Sequence, residues 1–398
     1  MTKLLLAAVM YSPNLGDGVI AECIRAAGGT AEISSLDLAG RHTYPTHENP
    51  LRKRILSVLA TLPAPLSERI ARQLVTAQIT RKLAPNTTTQ LNGQDGVLIG
   101  GGQLLSDANL NFPLKIHHVV RAAEVRGLAF GIHSVGVTRT WSPAAQKLFG
   151  QVLGSPNLKF LSVRDHASRD NLIAHLDTLG LAHLPPPKVF PDPGFLSAPL
   201  LAPERAATAQ TEIAHIGLGV THPTALATHG ETGTARHWPK WYASTARALV
   251  RMGYRVTLFT NGAFEDEDCL NRTFPTLTDI DPSQCTRAAR PNSPAALVHL
   301  ISTFDAVISH RLHANIIAYS CGAVPIGLPW DRKLEGFFNL INRTANLMQE
   351  SQPSPQSLTH PDILRAPDMA QAAKINTQVT NGITAAIASL GTKNPTSQ

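Results

Sequence analysis

Short apolar runs alternate along the chain with glycine-containing or polar turns and with amphipathic stretches of helical period. Leu4 to Met10 leads into a helix over about 18–27. Val97 to Ile99 leads into Gly100-Gly101-Gly102, Leu128 to Ile132 follows a helix ending near Arg126, and Phe160 to Val163 runs into Arg164-Asp165. Continuous runs of this length fit parallel strands covered on both faces, and their alternation with helices predicts βαβ units. A second series starts at Ile213 to Val220 and continues with a helix from Lys240 to Met252, closed by Gly253. The strands Arg255 to Phe259, Ala306 to Ile308 and Val324 to Leu328 complete it.

The fold class expected is therefore α/β, with two doubly wound Rossmann-like domains facing a cleft, an arrangement analogous to GT-B enzymes. An N-terminal domain is placed at 1–200 and a C-terminal one at 210–365, with a C-terminal helix over 366–390 packing back across the domains and a disordered tail at 391–398. The Pro- and Ala-rich stretch 192–212 reads as the link. An insert at about 45–85 reads as a helical pair broken at Pro63-Ala64-Pro65. Its span 51–83 holds seven basic residues and the single acid Glu68. Such a face suits either a cover over a sheet or contact with anionic lipid.

At 398 residues and 43% hydrophobic content the chain is long enough for two ordinary domains. A net charge of +7 favours anionic ligands or surfaces. The charge is scattered, with no aromatic-plus-basic block, which argues against nucleic acid. Cys23, Cys269, Cys285 and Cys321 match no metal-ligand spacing and are too few to staple this fold, which fits a reducing cytoplasm. Leu4 to Met10 carries one flanking charge and no cleavage site, so it reads as a first strand rather than a signal peptide. No apolar stretch reaches the roughly 18 residues of a membrane span. The expectation is a cytoplasmic protein, at most peripheral at the inner face of the plasma membrane.

The chemistry concentrates in Ser309-His310-Arg311-Leu312-His313-Ala314-Asn315. The apolar run 306–308 reads as a buried strand and His313 to Ser320 as a helix closed by Gly322. In open α/β sheets the ligand crevice lies beyond the carboxyl ends of the strands, where helix N-termini favour anions. Arg311 and His313 share a side if the turn between them is extended, the reading adopted here. A guanidinium and an imidazole at such a junction can hold an anion and move a proton.

Further motifs follow other strands: Asn14-Leu15-Gly16-Asp17, the loop Gly100-Gly101-Gly102 with Asp107 downstream, Arg164-Asp165, Asp192-Pro193-Gly194-Phe195, and Trp330-Asp331-Arg332-Lys333. In this order and spacing they resemble the polysaccharide pyruvyl transferase family over about residues 10–340. That family carries an Asn-x-Gly-Asp turn, a triple-glycine loop with a downstream acid, an Arg-Asp pair, an Asp-Pro-x-Phe segment and an Arg-x-His signature before an Asp-x-Lys. Pro13 stands where the family often has glycine, and Trp330 where tyrosine is common.

The resemblance implies transfer of a pyruvyl group from phosphoenolpyruvate, as co-substrate, to two hydroxyls of a saccharide, with no cofactor and no metal. Within that reading Arg311 and Arg164 would grip the donor's phosphate and carboxylate, and His313 would supply a proton. Asp107 would act as base with Asp17 behind it, and Lys333 would balance the leaving phosphate. Asn14, Gly16, Asp17, Gly100, Gly101, Gly102, Arg164, Asp331 and Lys333 are the expected substrate-binding set. Donor binding is expected mainly on the second domain and acceptor binding on the first, whether the saccharide is lipid-linked, nucleotide-linked or polymeric.

Each motif also suits a bland role. The glycines can let a helix approach a sheet, Asp107 can hold a turn, and Asn14, Asp17 and Asp331 can cap helices. His222, His229 and His237, with Trp238 and Trp241, read equally as a lid that stacks on a sugar or as a surface loop. Two rival functions stand beside the first: a GT-B glycosyltransferase whose Arg311 and Lys333 hold a nucleotide diphosphate, and a catalytically silent saccharide-binding protein.

Overall fold

A computed structural model describes residues 1–47, 64–202, 213–223, 238–330 and 333–391. The described residues form two compact units. One draws on Met1–Ser12, Ile20–Pro193 and Thr377–Gln398, the other on Pro13–Val19 and Gly194–Asn376.

The first unit is built on six parallel strands: β1 (Lys3–Ala8), β2 (Glu32–Asp37), β3 (Gly96–Gly100), β4 (Ala129–Val135), β5 (Leu158–Val163) and β6 (Lys188–Val189), in the order β2-β1-β3-β4-β5-β6. Five of the six residues of β1 are buried, as are all five of β3, which is why these strands read as continuous apolar runs. The helices are α1 (Leu15–Ala26), α2 (Ala64–Gln78), α3 (Asn111–Glu124), α4 (Pro143–Leu153) and α5 (His166–Thr178). Of α1, the stretch from Ile20 onward belongs here, and its first turn belongs to the second unit. Ser142 and Asp165 cap α4 and α5 by accepting the N–H groups of Ala145 and Ser168.

The second unit holds five parallel strands: β7 (His215–Gly219), β8 (Arg255–Phe259), β9 (Cys285–Arg287), β10 (Ala306–Ser309) and β11 (Val324–Gly327), in the order β11-β10-β7-β8-β9. Its helices are α6 (Trp238–Arg251), α7 (Phe264–Thr273), α8 (Pro294–Ile301), α9 (Leu312–Ser320) and α10 (Lys333–Leu340). Strand order reverses between β7 and β10, which pair in register from Ala306 opposite Ile216 to Ser309 opposite Gly219. The carboxyl ends of two strands that diverge in this way leave a crevice in a doubly wound sheet.

Several boundaries differ from the sequence reading. Asn14, Gly16 and Asp17 follow β1 in the chain, yet they pack with the second unit. Gly194 to Leu201, expected in the link, is short helix with Phe195, Leu196 and Ala198 buried; the Ser320 hydroxyl donates to the Phe195 carbonyl and accepts the Ala198 N–H. The helix after Ala64 does not stop near 83. It passes through a π turn, Ile79–Leu83, into Ala84–Gln90, and the backbone at Gln78, Leu83 and Ala84 stays helical throughout. The first half of that expected pair, 48–63, lies outside the described residues, as do 203–212 and the tail from 392. The C-terminal helix Met369–Gly391 belongs from Thr377 onward to the first unit. There Leu390 packs at Gly96 and Gly131, and Phe190 fills the space beside Gly382. No described helix is long and apolar enough to cross a membrane.

Candidate active site

The loop leaving β10 is fixed by its own side chains. The Ser309 hydroxyl accepts the Arg311 N–H at 3.0 Å, while the buried Asn315 amide donates to the carbonyls of Ser309 and Arg311 at 3.0 and 3.1 Å. Arg311 is therefore extended (φ −75°, ψ 119°) and α9 begins only at Leu312.

The Arg311 guanidinium meets one carboxylate. Its Nε and Nη2 donate to Asp266 Oδ2 at 3.0 and 2.6 Å, and Asp266 Oδ1 accepts the His222 backbone N–H at 2.8 Å. The guanidinium carbon lies 5.8 Å from the centre of the Trp330 ring, within cation–π range. Among the described residues no hydrogen bond engages Nη1. Burial works against the charge on Arg311, but Asp266 outweighs it and the guanidinium is held above its ordinary pKa. Burial likewise raises the Asp266 carboxyl, opposed by Arg311 and the His222 amide.

His313 lies against the turn from β1. A methyl group on Gly16 would fall 2.5 Å from His313 Nδ1, so the imidazole occupies the space a side chain would take. The turn is held by the loop after β8: Leu15 N–H donates to the Asn261 carbonyl at 2.9 Å, and Gly262, at φ +93°, brings its backbone against the Pro13 carbonyl. Asn14 Oδ1 and Asn261 Nδ2 are both buried without a protein partner among the described residues, an acceptor and a donor at the start of α1.

His310 points the other way, into the core. Its Nδ1 lies 3.2 Å from the Tyr242 hydroxyl and its Nε2 3.2 Å from the Ser351 carbonyl oxygen. Trp238 and Trp241 meet it edge-on at 4.9 and 6.4 Å. Burial pushes its pKa down to about 3, so it is neutral at physiological pH. A lid role for these tryptophans is thus corrected for Trp238, which is a buried core residue; His229 and His237 lie outside the described residues.

Arg164, Gly100, Gly101, Gly102 and Asp107 sit in the first unit. Arg164 is almost fully enclosed; its Nε donates to Asp165 at 3.2 Å, its Nη2 to Gln103 Oε1 at 2.7 Å, and Nη1 stands 3.9 Å from Asp192. Gly101 and Gly102 both adopt φ +74°, and a methyl on Gly101 would strike Ile20 of α1 at 2.1 Å, so close helix approach accounts for that glycine. Asp107 holds a turn. Its Oδ1 accepts the Leu110 N–H at 3.0 Å and its Oδ2 the Ser142 N–H at 2.8 Å. Between them Ala108, Asn109 and Leu110 run left-handed at φ 42°, 54° and 62°, a strain those bonds offset.

A family model described as polysaccharide pyruvyl transferase matches residues 14–332. The chain belongs to that family. No curated protein sequence matches it significantly. Among solved structures, a trehalose-6-phosphate synthase, OtsA, is similar at 11% identity and TM-score 0.52, covering 98% of this chain and 97% of that one. An E. coli trehalose-6-phosphate protein bound with UDP-2-fluoro glucose gives 12% identity and TM-score 0.51, over 99% of this chain and 100% of that one. MnaA of S. aureus, in a co-structure with UDP, gives 10% and 0.50, over 96% of this chain and 91% of that one. At these identities the likeness concerns the fold, two Rossmann-like units of GT-B type.

In this polysaccharide pyruvyl transferase family member, Asn14, Gly16, Asp17, Arg311, His313 and Lys333 belong to one unit, whereas Gly100–Gly102, Asp107 and Arg164 belong to the other. Lys333 opens α10, and Asp331 lies outside the described residues. Sequence reasoning missed Asp266, one of four consecutive acids at 265–268, because nothing local distinguishes it from Glu265, Glu267 or Asp268. It also missed Asn261, seen only as a turn, and the part of Asp192 and Gln103 around Arg164. For Asp192 the signal was present in the Asp-Pro-x-Phe segment.

Proposed function

We propose that the protein transfers the pyruvyl group of phosphoenolpyruvate to a saccharide of a bacterial exopolysaccharide or cell envelope, forming a cyclic ketal and releasing phosphate. What carries the reading, beside family membership, is the loop after β10, where an arginine held charged by a buried carboxylate stands two residues before a histidine lodged against Gly16.

Phosphoenolpyruvate carries a phosphate and a carboxylate, and a planar cation answers such groups with paired hydrogen bonds. In this proposal Arg311 offers the donor its Nη1 end, with Lys333 to neutralise the leaving phosphate and Asp331 beside it in the family's Asp-x-Lys. The N–H groups at the start of α1, around Asn14, Gly16 and Asp17, favour an anion by their partial charge. Arg164 and the loop Gly100, Gly101, Gly102 are proposed to bind substrate as well, Arg164 through Nη1, which lies beyond hydrogen-bond reach of Asp192.

His313 delivers a proton to the methylene carbon, turning it into a methyl and leaving the central carbon electrophilic. One sugar hydroxyl bonds to that carbon, the bond to the phosphate oxygen breaks with its electron pair going to phosphate, and a second hydroxyl closes the ring. The two hydroxyl protons balance the one gained by the methyl and the one gained by phosphate. Asp107 was the expected base, but both its oxygens are engaged by backbone N–H groups. We assign the base role to Asp17, next to the glycine that faces His313. No metal enters the scheme, since cationic side chains can stabilise the developing charge.

The test is incubation with phosphoenolpyruvate and a panel of saccharides, reading phosphate release and the mass of the product. Phosphate released together with a pyruvylated saccharide supports the reading. Turnover of a nucleotide sugar without use of phosphoenolpyruvate would replace it with glycosyl transfer, the reading drawn from the UDP-bound proteins of similar fold.

A further inference from the structure

We propose that Asp266 is a positioning residue that aims Arg311 at the anionic donor and ties it to the carboxyl end of β7. The inference rests on the donor site proposed above and adds a residue that lies outside every motif of the family resemblance.

Asp266 is fully buried, in the first turn of α7, and none of its carboxylate is left for solvent or ligand. Oδ2 takes the Nε and Nη2 hydrogens of Arg311, and Oδ1 takes the His222 amide. A guanidinium presents five N–H groups in a rigid plane, so fixing the Nε–Nη2 edge fixes the direction of Nη1. An arginine without such a partner samples many rotamers and loses that entropy on each binding event.

A second tie runs parallel to the first. Thr221 N–H donates to the Tyr242 hydroxyl at 3.0 Å, and that hydroxyl lies 3.2 Å from His310 Nδ1. Adjacent residues at the end of β7, Thr221 and His222, are thus joined to adjacent residues at the end of β10, His310 and Arg311, through Tyr242 and Asp266. These are the two strands between which the sheet order reverses. The neighbouring acid Glu267 cannot substitute, because it is engaged by Thr260 and by Arg287, the latter at 3.1 Å.

The experiment is calorimetric titration of phosphoenolpyruvate into wild type, Asp266→Asn, Arg311→Ala and the double variant, with a thermal melt of each. Asp266→Asn keeps the shape and removes the charge; affinity should fall about tenfold or more, the scale of one lost charge-assisted contact. The double variant should bind no more weakly than Arg311→Ala alone, because Asp266 acts only through Arg311. General damage to the fold would instead add to the Arg311→Ala loss. Asp266→Glu, which keeps the charge and displaces it, should fall between wild type and Asp266→Asn, and it carries the test if the asparagine variant does not fold. Wild-type affinity in Asp266→Asn or Asp266→Glu, or additive losses in the double variant, overturns the inference while leaving the donor site standing. A wild type that does not bind phosphoenolpyruvate removes the donor reading and the inference with it.

Discussion

Gly16 and His313 are packed so closely that one methyl group on the glycine would stand 2.5 Å from the imidazole Nδ1. The turn after β1 and the first turn of α9 therefore share one volume, and the absence of a side chain at 16 is what admits the ring.

Gly16→Ala should displace that ring while leaving Arg311 in place. Overpacking of this kind costs roughly 1–3 kcal/mol of stability. A misplacement of the proton donor by about 1 Å should lower turnover on the order of a hundredfold. Steady-state kinetics beside a thermal melt checks this. Loss of phosphoenolpyruvate affinity with unchanged turnover would mean that His313 serves binding only.

Asp107→Asn distinguishes a turn residue from a base. The amide can still accept one of the two backbone N–H groups, so stability should fall by about 1–2 kcal/mol. Removing a general base costs about 10²–10⁴-fold in rate. The folded variant should lose far less than that range, and a loss within it would return Asp107 to the chemistry.

His310 gives the fold an acid-side weakness. Its folded pKa, about 3, lies below the ordinary histidine value, so the unfolded chain takes up the proton first. Stability from the neutral ring is fully present above about pH 6.5 and is lost as pH falls toward the folded value. His133, lowered by burial to about 4, acts in the same sense. Melting temperatures measured from neutral to acid pH should decline, and His310→Asn should show a shallower decline than wild type.

Much of this was legible because period and punctuation are local. Fully buried strands such as Leu4 to Ala8 and Ala306 to Ile308 announce themselves as apolar runs, and the extended backbone at Arg311 follows from a helix that starts one residue later. The partners of the site were not legible, because they are set by which loops the sheet order brings together. Nothing near Asp266 in the sequence points 45 residues ahead to Arg311. The turn Asn14 to Asp17 was attributed to the first domain by chain order, whereas Asn261 and His313 hold it in the second. Asp107 drew attention by lying downstream of three glycines, and only the left-handed run after it reveals its turn-holding bonds.

The most direct measurement is calorimetric binding of phosphoenolpyruvate, with uridine diphosphate alongside, to wild type and to Arg311→Ala. The account predicts that wild type binds phosphoenolpyruvate and not the nucleotide, and that the variant, confirmed folded by its melt, binds phosphoenolpyruvate far more weakly. Phosphoenolpyruvate bound equally by both proteins, or the nucleotide bound in its place, would contradict it.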